Sequence, residues 1–274
     1  MDYDVAIIGS GFGGSVSALR LSEKGYRVAV LEQGNWVTPE DMEAGDSNVR
    51  RLNWFPSLGS TGYFSQDFFR HVTLVRGIGV GGGSIVYAAV LLRPKDDFYR
   101  DPAWSGLGFD WKQELAPHYD TVKKMLGVAS NPNKDIQDRY LQQTAEKMGA
   151  GHTFGPTPNG IYFGTPEIME PDPYFNGRGP HRAGCYLCGR CLTGCPHGSK
   201  NTLDKNYLYL AQRLGASILP VRKGKRIAPL DGGGFQLALK HPAKPFYKYP
   251  PLKAKMVVVA AGVVVGALAV IVAI

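Results

Sequence analysis

Hydrophobic residues near the beginning of the chain form two short apolar runs with a helical pattern between them. Residues 5–8 and 27–31 have few polar interruptions, which is typical of parallel strands covered on both faces. Residues 15–24 place apolar side chains at helical spacing and are followed by Gly25, a residue suited to a helix end. The pattern therefore predicts a β-α-β unit at the start of the chain.

The remaining chain mixes helical and strand patterns around a long loop-rich part. Residues 35–75 are aromatic-rich and irregular in pattern, and residues 151–200 carry many Gly and Pro. An antiparallel ribbon is predicted around a glycine-rich turn at residues 231–234. The other predicted elements are helices at 111–125, 136–148 and 205–214 and strands at 217–221, 225–230, 235–239 and 256–260. Together these elements predict an α/β fold.

Charge narrows the classes of function only slightly. The chain has 274 residues and a net charge of +8, from 31 basic and 23 acidic residues. No Lys/Arg run is dense enough for a nucleic-acid surface, so no nucleic-acid partner is expected. The acidic start lacks a basic segment before the first apolar run, which predicts a cytoplasmic protein without a targeting signal.

The first of two glycine clusters fits the G-x-G-x-x-G fingerprint of dinucleotide-binding folds. The cluster lies between a predicted strand and a predicted helix. An acidic residue, Glu32, stands at the end of the next strand, as the fingerprint requires. Gly9 permits the tight turn, Gly11 lets the backbone approach a pyrophosphate, and Gly14 lets helix and strand pack closely. The carboxylate of Glu32 suits ribose hydroxyls and disfavours NADP, whereas NAD, FAD and a ligand-free turn stay open. The predicted cofactor residues of this part are Gly9, Ser10, Gly11, Phe12, Gly13, Gly14, Glu32 and Gln33.

The second glycine cluster favours FAD over NAD. Residues 76–84 (RGIGVGGGS) are too rich in glycine for a helix or strand interior, and the apolar residues that follow argue against a solvent loop. Such a segment could line an extended cofactor and offer backbone N–H groups and a hydroxyl to a diphosphate or a flavin edge. The predicted cofactor residues here are Gly77, Gly81, Gly82, Gly83 and Ser84.

Four stretches resemble the glucose–methanol–choline (GMC) oxidoreductases, most closely their cholesterol-oxidase-like branch. They are residues 9–14 with Glu32, residues 76–94 (RGIGVGGGSIVYAAVLLRP), residues 194–208 (GCPHGSKNTLDKNYL) and residues 257–262 (VVVAAG). The resemblance implies FAD and oxidation of an alcohol or sterol by hydride transfer to the flavin. It also implies that Val221 lies near the adenine and that Ala261 and Gly262 contact the cofactor. Tyr87 stands where many relatives place Asn beside the flavin.

The same resemblance implies a Rossmann-like FAD-binding parallel sheet with a β-meander and an inserted loop-rich segment. Residues 1–100 would form the first part of the FAD-binding domain, residues 101–200 an inserted segment with a Cys-rich loop, and residues 201–274 the returning part. Relatives continue past the strand at 257–262 into a second half with the active-site His and its Asn or His partner. No residue of this chain matches those positions, so no catalytic residue is named. The histidines at positions 71, 118, 152, 181, 197 and 241 are interpreted as structural or exposed.

Two functions remain open on this basis. The first is an FAD-dependent oxidoreductase acting on CH–OH donors, with a small-molecule alcohol or sterol as substrate and an electron acceptor as partner. The second is a flavin-binding or electron-transfer module without alcohol-oxidising activity of its own. Turnover of an alcohol with an artificial electron acceptor would separate them.

All four cysteines lie within residues 185–195, a layout that suits a metal site better than a disulfide framework. Cys185, Cys188, Cys191 and Cys195, followed by a proline, reproduce the C-x2-C-x2-C-x3-C-P run of bacterial ferredoxins. In two-cluster ferredoxins the fourth Cys serves the other cluster, and no second run exists here. Three interpretations stay open: an iron–sulfur cluster, a zinc ion, and reduced or paired structural cysteines.

The end of the chain is an uncharged apolar stretch. Residues 256–274 reach the length threshold for a membrane span. Gly262 and Gly266 interrupt the stretch, and its first part matches the strand VVVAAG of the resembling family. We therefore predict a buried strand at 256–260 and no membrane association.

Overall fold

The computed structural model describes residues 1–262 of the chain. Its strands are β1 Tyr3–Ile8, β2 Val28–Leu31, β3 Trp54–Phe55, β4 Ser60–Thr61, β5 Phe64–Phe68, β6 Thr73–Gly77, β7 Ala129–Ser130, β8 Pro158–Asn159, β9 Met169–Glu170, β10 Arg182–Ala183, β11 Ser217–Leu219, β12 Lys223–Pro229, β13 Phe235–Lys240 and β14 Leu252–Val259. Its helices are α1 Phe12–Glu23, α2 Pro39–Ser47, α3 Val49–Leu52, α4 Asp96–Tyr99, α5 Pro102–Ser105, α6 Trp111–Met125, α7 Ile136–Lys147 and α8 Tyr207–Arg213.

A six-stranded sheet in the order β11-β2-β1-β14-β13-β12 forms the centre of the molecule. Within it, β1 pairs in parallel with β2 on one side and with β14 on the other, so that Ala6 lies between Ala29 and Val257. Strand β13 runs antiparallel to both of its neighbours, β12 and β14. This confirms the prediction of a Rossmann-like parallel sheet extended by a β-meander.

Both faces of the sheet are covered, which explains the unbroken apolar runs. Alternate residues of a strand face opposite sides of its sheet. Val5 and Ile7 of β1 pack with α1 and α8 on one face, whereas Ala6 packs with β13 and β14 on the other. All three side chains are buried. A strand enclosed on both sides needs no polar positions, so it shows no alternation.

The sheet is assembled from two distant parts of the described chain. Its strands β1 and β2 lie within the first 31 residues, and its other four strands lie within residues 217–259. Residues 32–216 therefore form a long excursion between them. The helices predicted at 111–125 and 136–148 are confirmed there as α6 and α7. The domain boundaries near 100 and 200 stay a prediction.

The segment at residues 35–75 is more regular than predicted. The Thr38 hydroxyl accepts a hydrogen bond from the Asp41 N–H, and the Asp41 carboxylate accepts one from the Thr38 N–H, so a capping box starts α2. Strands β5 and β6 pair as a hairpin with Phe64 opposite Gly77. The prediction of an irregular segment was therefore wrong. Capping and cross-strand pairing form short helices and strands here, although the sequence shows no long helical or strand-like pattern of apolar residues.

Strand β14 confirms the strand predicted at 256–260 and begins earlier, at Leu252. The rest of the uncharged stretch, residues 263–274, lies outside the described residues. None of the helices within residues 1–262 combines the length and the apolar character that crossing a membrane requires.

Candidate cofactor site

The first glycine cluster forms the turn between β1 and α1. Gly9 has a φ of +100°. A Cβ there would lie 2.5 Å from the carbonyl oxygen of Ala260, the residue that directly follows β14. A Cβ on Gly14 would lie 1.9 Å from the Gly9 carbonyl oxygen. Only glycine fits both positions, because strand and helix approach each other at backbone distance. No side chain caps the first turn of α1 at Gly11, so the N–H groups at the helix start remain available to an anion.

Glu32 is buried at the end of β2 and organises this turn. Its carboxylate accepts hydrogen bonds from the Ser10 N–H at 3.1 Å, the Ser10 hydroxyl at 2.6 Å and the Gly34 N–H at 2.9 Å. Burial raises the pKa of Glu32, and these donors oppose the shift. Two carboxylate oxygens offer about four acceptor sites, so the bonds within the protein leave capacity for a ribose hydroxyl.

The second glycine cluster packs directly against the first. A Cβ on Gly82 would lie 2.8 Å from the Gly11 Cα, and Gly82 has a φ of +53°. The Ser10 hydroxyl also accepts a hydrogen bond from the Gly81 N–H at 3.1 Å. The two glycine segments are separated by about seventy residues in sequence, yet the structure joins them into one site.

A cleft of about 390 Å³ opens where these segments meet the ends of the parallel strands. This is the edge of an α/β sheet at which ligands bind. Most of the predicted cofactor residues line the cleft. They are Gly9, Ser10, Gly11, Phe12, Gly13, Glu32, Gln33, Gly77, Gly82, Gly83, Ala261 and Gly262.

Five predicted cofactor residues lie outside the lining of this cleft: Gly14, Gly81, Ser84, Tyr87 and Val221. The Ser84 hydroxyl donates to the Gly81 carbonyl at 2.7 Å and accepts from the Leu203 N–H at 3.0 Å. It therefore connects the second glycine segment with the residues around Leu203. The Tyr87 hydroxyl lies 3.0 Å from the Asn201 carbonyl oxygen, and its ring meets the Phe12 ring edge to face at 6.3 Å. Their direct contact with a cofactor stays a prediction.

Sequence reasoning missed three basic residues of the cleft, Arg76, Arg222 and Lys223. Arg76 is paired with Asp67 at 2.5 Å, and Arg222 lies over the Tyr249 ring at 4.8 Å. Burial lowers the pKa of Lys223, and the neighbouring cations Lys240 and Arg76 lower it further. An anion in the cleft would relieve this repulsion. Arg222 and Lys223 could have been predicted from the sequence, because they directly follow Val221, the residue expected near the adenine.

The four cysteines lie together on one loop outside the cleft. All four are free, and all line one narrow cavity together with His197 and Lys200. Burial raises the pKa values of Cys185 and Cys191. Within residues 1–262, no group of three or more His, Cys, Asp or Glu side chains is arranged to hold a metal ion. The predicted iron–sulfur cluster therefore has no preformed ligand geometry in this structure.

Lys200 connects the cysteine loop to the segment behind the cleft. Its ammonium group donates to the carbonyls of Ile85 at 2.7 Å, Tyr87 at 2.9 Å and Cys191 at 2.6 Å. Burial lowers the pKa of Lys200 to about 8, against the opposing influence of the nearby cysteines. Its three carbonyl acceptors match the three donors of the protonated ammonium form.

Comparison with known proteins matched this chain to one domain model and to several oxidases. A model of the NAD(P)-binding Rossmann-like domain matches residues 7–39. A cholesterol oxidase of Acinetobacter baumannii is 49% identical over 236 residues, which are 84% of this chain and 42% of that protein. A cholesterol oxidase of Mycobacterium tuberculosis is 50% identical over 225 residues, which are 80% of this chain and 39% of that protein. The chain thus spans about two fifths of the length of these relatives.

Among solved structures, the pyridoxine 4-oxidase from Mesorbium loti superposes with a TM-score of 0.57 at 17% identity. The match covers 94% of this chain and 49% of that one. At this identity, the likeness concerns the fold.

Proposed function

Because this chain belongs to the GMC oxidoreductase family, in its cholesterol-oxidase-like branch, we propose that it binds FAD and serves the oxidation of an alcohol or sterol at its CH–OH group. The observation that carries the proposal is the meeting of two distant glycine segments and Glu32 in one cleft at the ends of the parallel strands. The chain spans less than half of its relatives, so the activity of a whole enzyme is part of the proposal.

The residues of the cleft fit a flavin dinucleotide. Gly11 and Gly83 line the cleft with open space where a side chain would otherwise stand, so a ligand could approach the main chain closely there. The uncapped start of α1 offers N–H groups to a pyrophosphate, and Lys223 adds a positive charge on the same cleft. When bound, FAD supplies a ring system that accepts hydride from the carbon of an alcohol.

The side chains of the site have the task of holding and orienting the cofactor. Glu32 fixes the glycine turn through Ser10 and would direct its remaining acceptor sites to ribose hydroxyls. Gly77, Gly82 and Gly83 would pack their main chain against the cofactor. No general base is assigned, since none of the six histidines belongs to the lining of this cleft within residues 1–262.

The proposal can be tested on the full chain as purified. FAD released on denaturation is measured first, and a sterol or a long-chain alcohol is then mixed with the protein in the absence of oxygen. Loss of the oxidised flavin spectrum on mixing supports the proposed activity. A chain without flavin, even after incubation with free FAD, would contradict it.

A second candidate function is a flavin-binding electron-transfer module that does not oxidise alcohols itself. The ferredoxin-like cysteine run beside the flavin segment favours this alternative. Bound FAD that no alcohol reduces, but that an artificial reductant does reduce, is the result expected of such a module.

The Lys223→Met variant should bind FAD more weakly by up to about fivefold, because an exposed charge contributes roughly 0.2–1 kcal/mol to an ionic interaction. The difference should shrink as salt is added. Titration of the flavin-free protein with FAD, followed by fluorescence, measures it. Lys225→Met on the same strand is the matched control, because Lys225 does not line the cleft. Equal weakening in both variants would refute a specific role for Lys223.

The Tyr87→Phe variant should keep its FAD and lose about 1 kcal/mol of stability. The hydroxyl is engaged with the Asn201 carbonyl, so its removal costs one buried hydrogen bond and no cleft contact. Urea unfolding and the flavin content of the purified protein check the two halves of this prediction. A loss of FAD at unchanged stability would instead assign the hydroxyl to the cofactor.

A further inference from the structure

The hydroxyl group of Ser10 lies where the two glycine segments and Glu32 meet. Ser10 is 0% exposed, although it belongs to the lining of the cofactor cleft. Its hydroxyl oxygen lies 2.6 Å from Oε2 of Glu32, 3.1 Å from the Gly81 nitrogen and 3.2 Å from the Gly79 carbonyl oxygen. One buried side chain of the first glycine segment therefore contacts both the second segment and the carboxylate that suits a ribose.

The hydrogen-bond donors of Ser10 are engaged within the protein. A hydroxyl group has one hydrogen to donate and two lone pairs with which to accept. The hydrogen goes to Glu32 and not to the Gly79 carbonyl, because the carboxylate is charged and lies closer. One lone pair accepts the Gly81 N–H, and the Ser10 N–H also donates to Glu32, at 3.1 Å. Any influence of Ser10 on a cofactor therefore passes through Glu32 and the glycine segments.

The two carboxylate oxygens of Glu32 are held differently. Oε2 accepts both donors of Ser10, whereas Oε1 accepts the Gly34 N–H at 2.9 Å. Each carboxylate oxygen offers about two acceptor sites. The bonds from Ser10 thus fill Oε2 and leave one site on Oε1, so Ser10 decides which oxygen of Glu32 can receive a ribose hydroxyl.

We propose that Ser10 is a positioning residue that directs Oε1 of Glu32 to the 2′-hydroxyl of the adenosine ribose, and so lets the cleft distinguish ribose from deoxyribose nucleotides. The inference rests on the proposed function, because it concerns the adenosine half of FAD. An acidic residue at the end of the second strand of such a fold accepts a hydrogen bond from this ribose hydroxyl. Without the Ser10 hydroxyl, Oε2 would lose the shorter of its two bonds, and the carboxylate could turn away from the ribose.

Loss of the same hydroxyl would also leave the buried Gly81 N–H without its acceptor. This second effect is structural, because it loosens the contact between the two glycine segments, where Gly82 packs on Gly11. Loosening weakens every nucleotide in the cleft by the same factor, whereas a misdirected carboxylate weakens only nucleotides that carry the 2′-hydroxyl. The ratio of two nucleotide affinities therefore separates positioning from structural support.

The test uses the flavin-free full chain, with ADP and 2′-deoxy-ADP as probes that differ in a single ribose hydroxyl. Isothermal titration calorimetry measures both affinities. We expect the parent to prefer ADP about tenfold, the effect of one hydrogen bond to a charged group, and Ser10→Ala to reduce this preference to about twofold or less. Ser10→Cys, which fills the same buried space with a much weaker donor, should reduce the preference similarly. Ser10→Thr keeps the hydroxyl and should retain most of it.

Lys223→Met is the control, since the loss of a charge on the cleft should weaken both nucleotides alike and leave the preference unchanged. If Ser10→Ala and Ser10→Cys keep the preference of the parent, Ser10 is a structural residue and the inference is overturned. Equal binding of ADP and 2′-deoxy-ADP by a parent that holds FAD also overturns it, and leaves the proposed function intact. A parent that binds neither FAD nor ADP refutes the proposed function and this inference with it.

Discussion

The Gly14→Ala variant is expected to lose its FAD and about 3 kcal/mol of its stability. The added methyl group would lie 1.9 Å from the Gly9 carbonyl oxygen and 3.3 Å from the Ile7 side chain. The first of these atoms belongs to the backbone and cannot turn away as a side chain can. Helix α1 is also fixed on the sheet beside α8, since both helices pack on Val5 and Ile7 of β1. Urea unfolding and flavin content measure the two losses.

Two further glycines make this prediction specific. A Cβ on Gly11 meets nothing within 4 Å, although Gly11 lines the cleft. The Gly11→Ala variant should therefore fold with nearly unchanged stability and still bind FAD much more weakly, since its methyl group occupies the space of the ligand. Gly106→Ala, which has equal room far from the cleft, should change neither property. If Gly14→Ala unfolded at the same urea concentration as Gly106→Ala, the close contact of helix and strand would be refuted.

The turn around Gly14 was predictable from sequence because every part of it is local. Strand, turn, helix and second strand follow one another within the first 31 residues, and each has its own apolar period. Glu32 falls at the end of the second strand for the same reason. The meander was predictable as well, since Asp231 and the glycines at 232–234 separate two short strand patterns.

The order in residues 35–75 was harder to predict for a physical reason. The hairpin of β5 and β6 turns at residues 69–72, where neither Gly nor Asn marks a turn. Its strands carry polar and apolar residues on both faces, so no clear alternation appears. The helix α2 did leave a local signal, since Thr38 and Asp41 stand at capping-box spacing with Pro39 between them.

The long-range parts of the site could not be predicted from the sequence. Ser10 contacts Gly81 across some seventy residues, and Lys200 bonds to carbonyls that lie more than a hundred residues upstream. A lysine in a loop is ordinarily expected at the surface. Its burial here depends on carbonyl groups that only the finished fold brings together.

The largest effect outside the glycine turn is expected for Lys200→Met, which should lower stability by about 2–4 kcal/mol. Three carbonyls, those of Ile85, Tyr87 and Cys191, would lose their shared donor. Each buried acceptor left without a partner costs about 1–3 kcal/mol of stability. Removing the buried charge offsets part of this loss, because the ammonium group no longer has to be desolvated on folding. Methionine keeps the unbranched shape of the lysine side chain and lacks only the position of the nitrogen, so the loss reports chiefly the ammonium group. Lys147→Met, on the exposed face of α7, is the matched control and should unfold as the parent does.

Hydrogen exchange can show where the Lys200→Met variant loosens. If the ammonium group ties the cysteine loop to the segment behind the cleft, residues 85–90 and 188–195 should lose protection together, while the central strands β1 and β14 keep theirs. FAD content should fall less than in Gly14→Ala, because Lys200 does not line the cleft. Unchanged exchange in both segments, with an unfolding curve equal to that of Lys147→Met, would refute the connection. Loosening of both segments would show that one buried charge holds together two regions that the sequence separates by about a hundred residues.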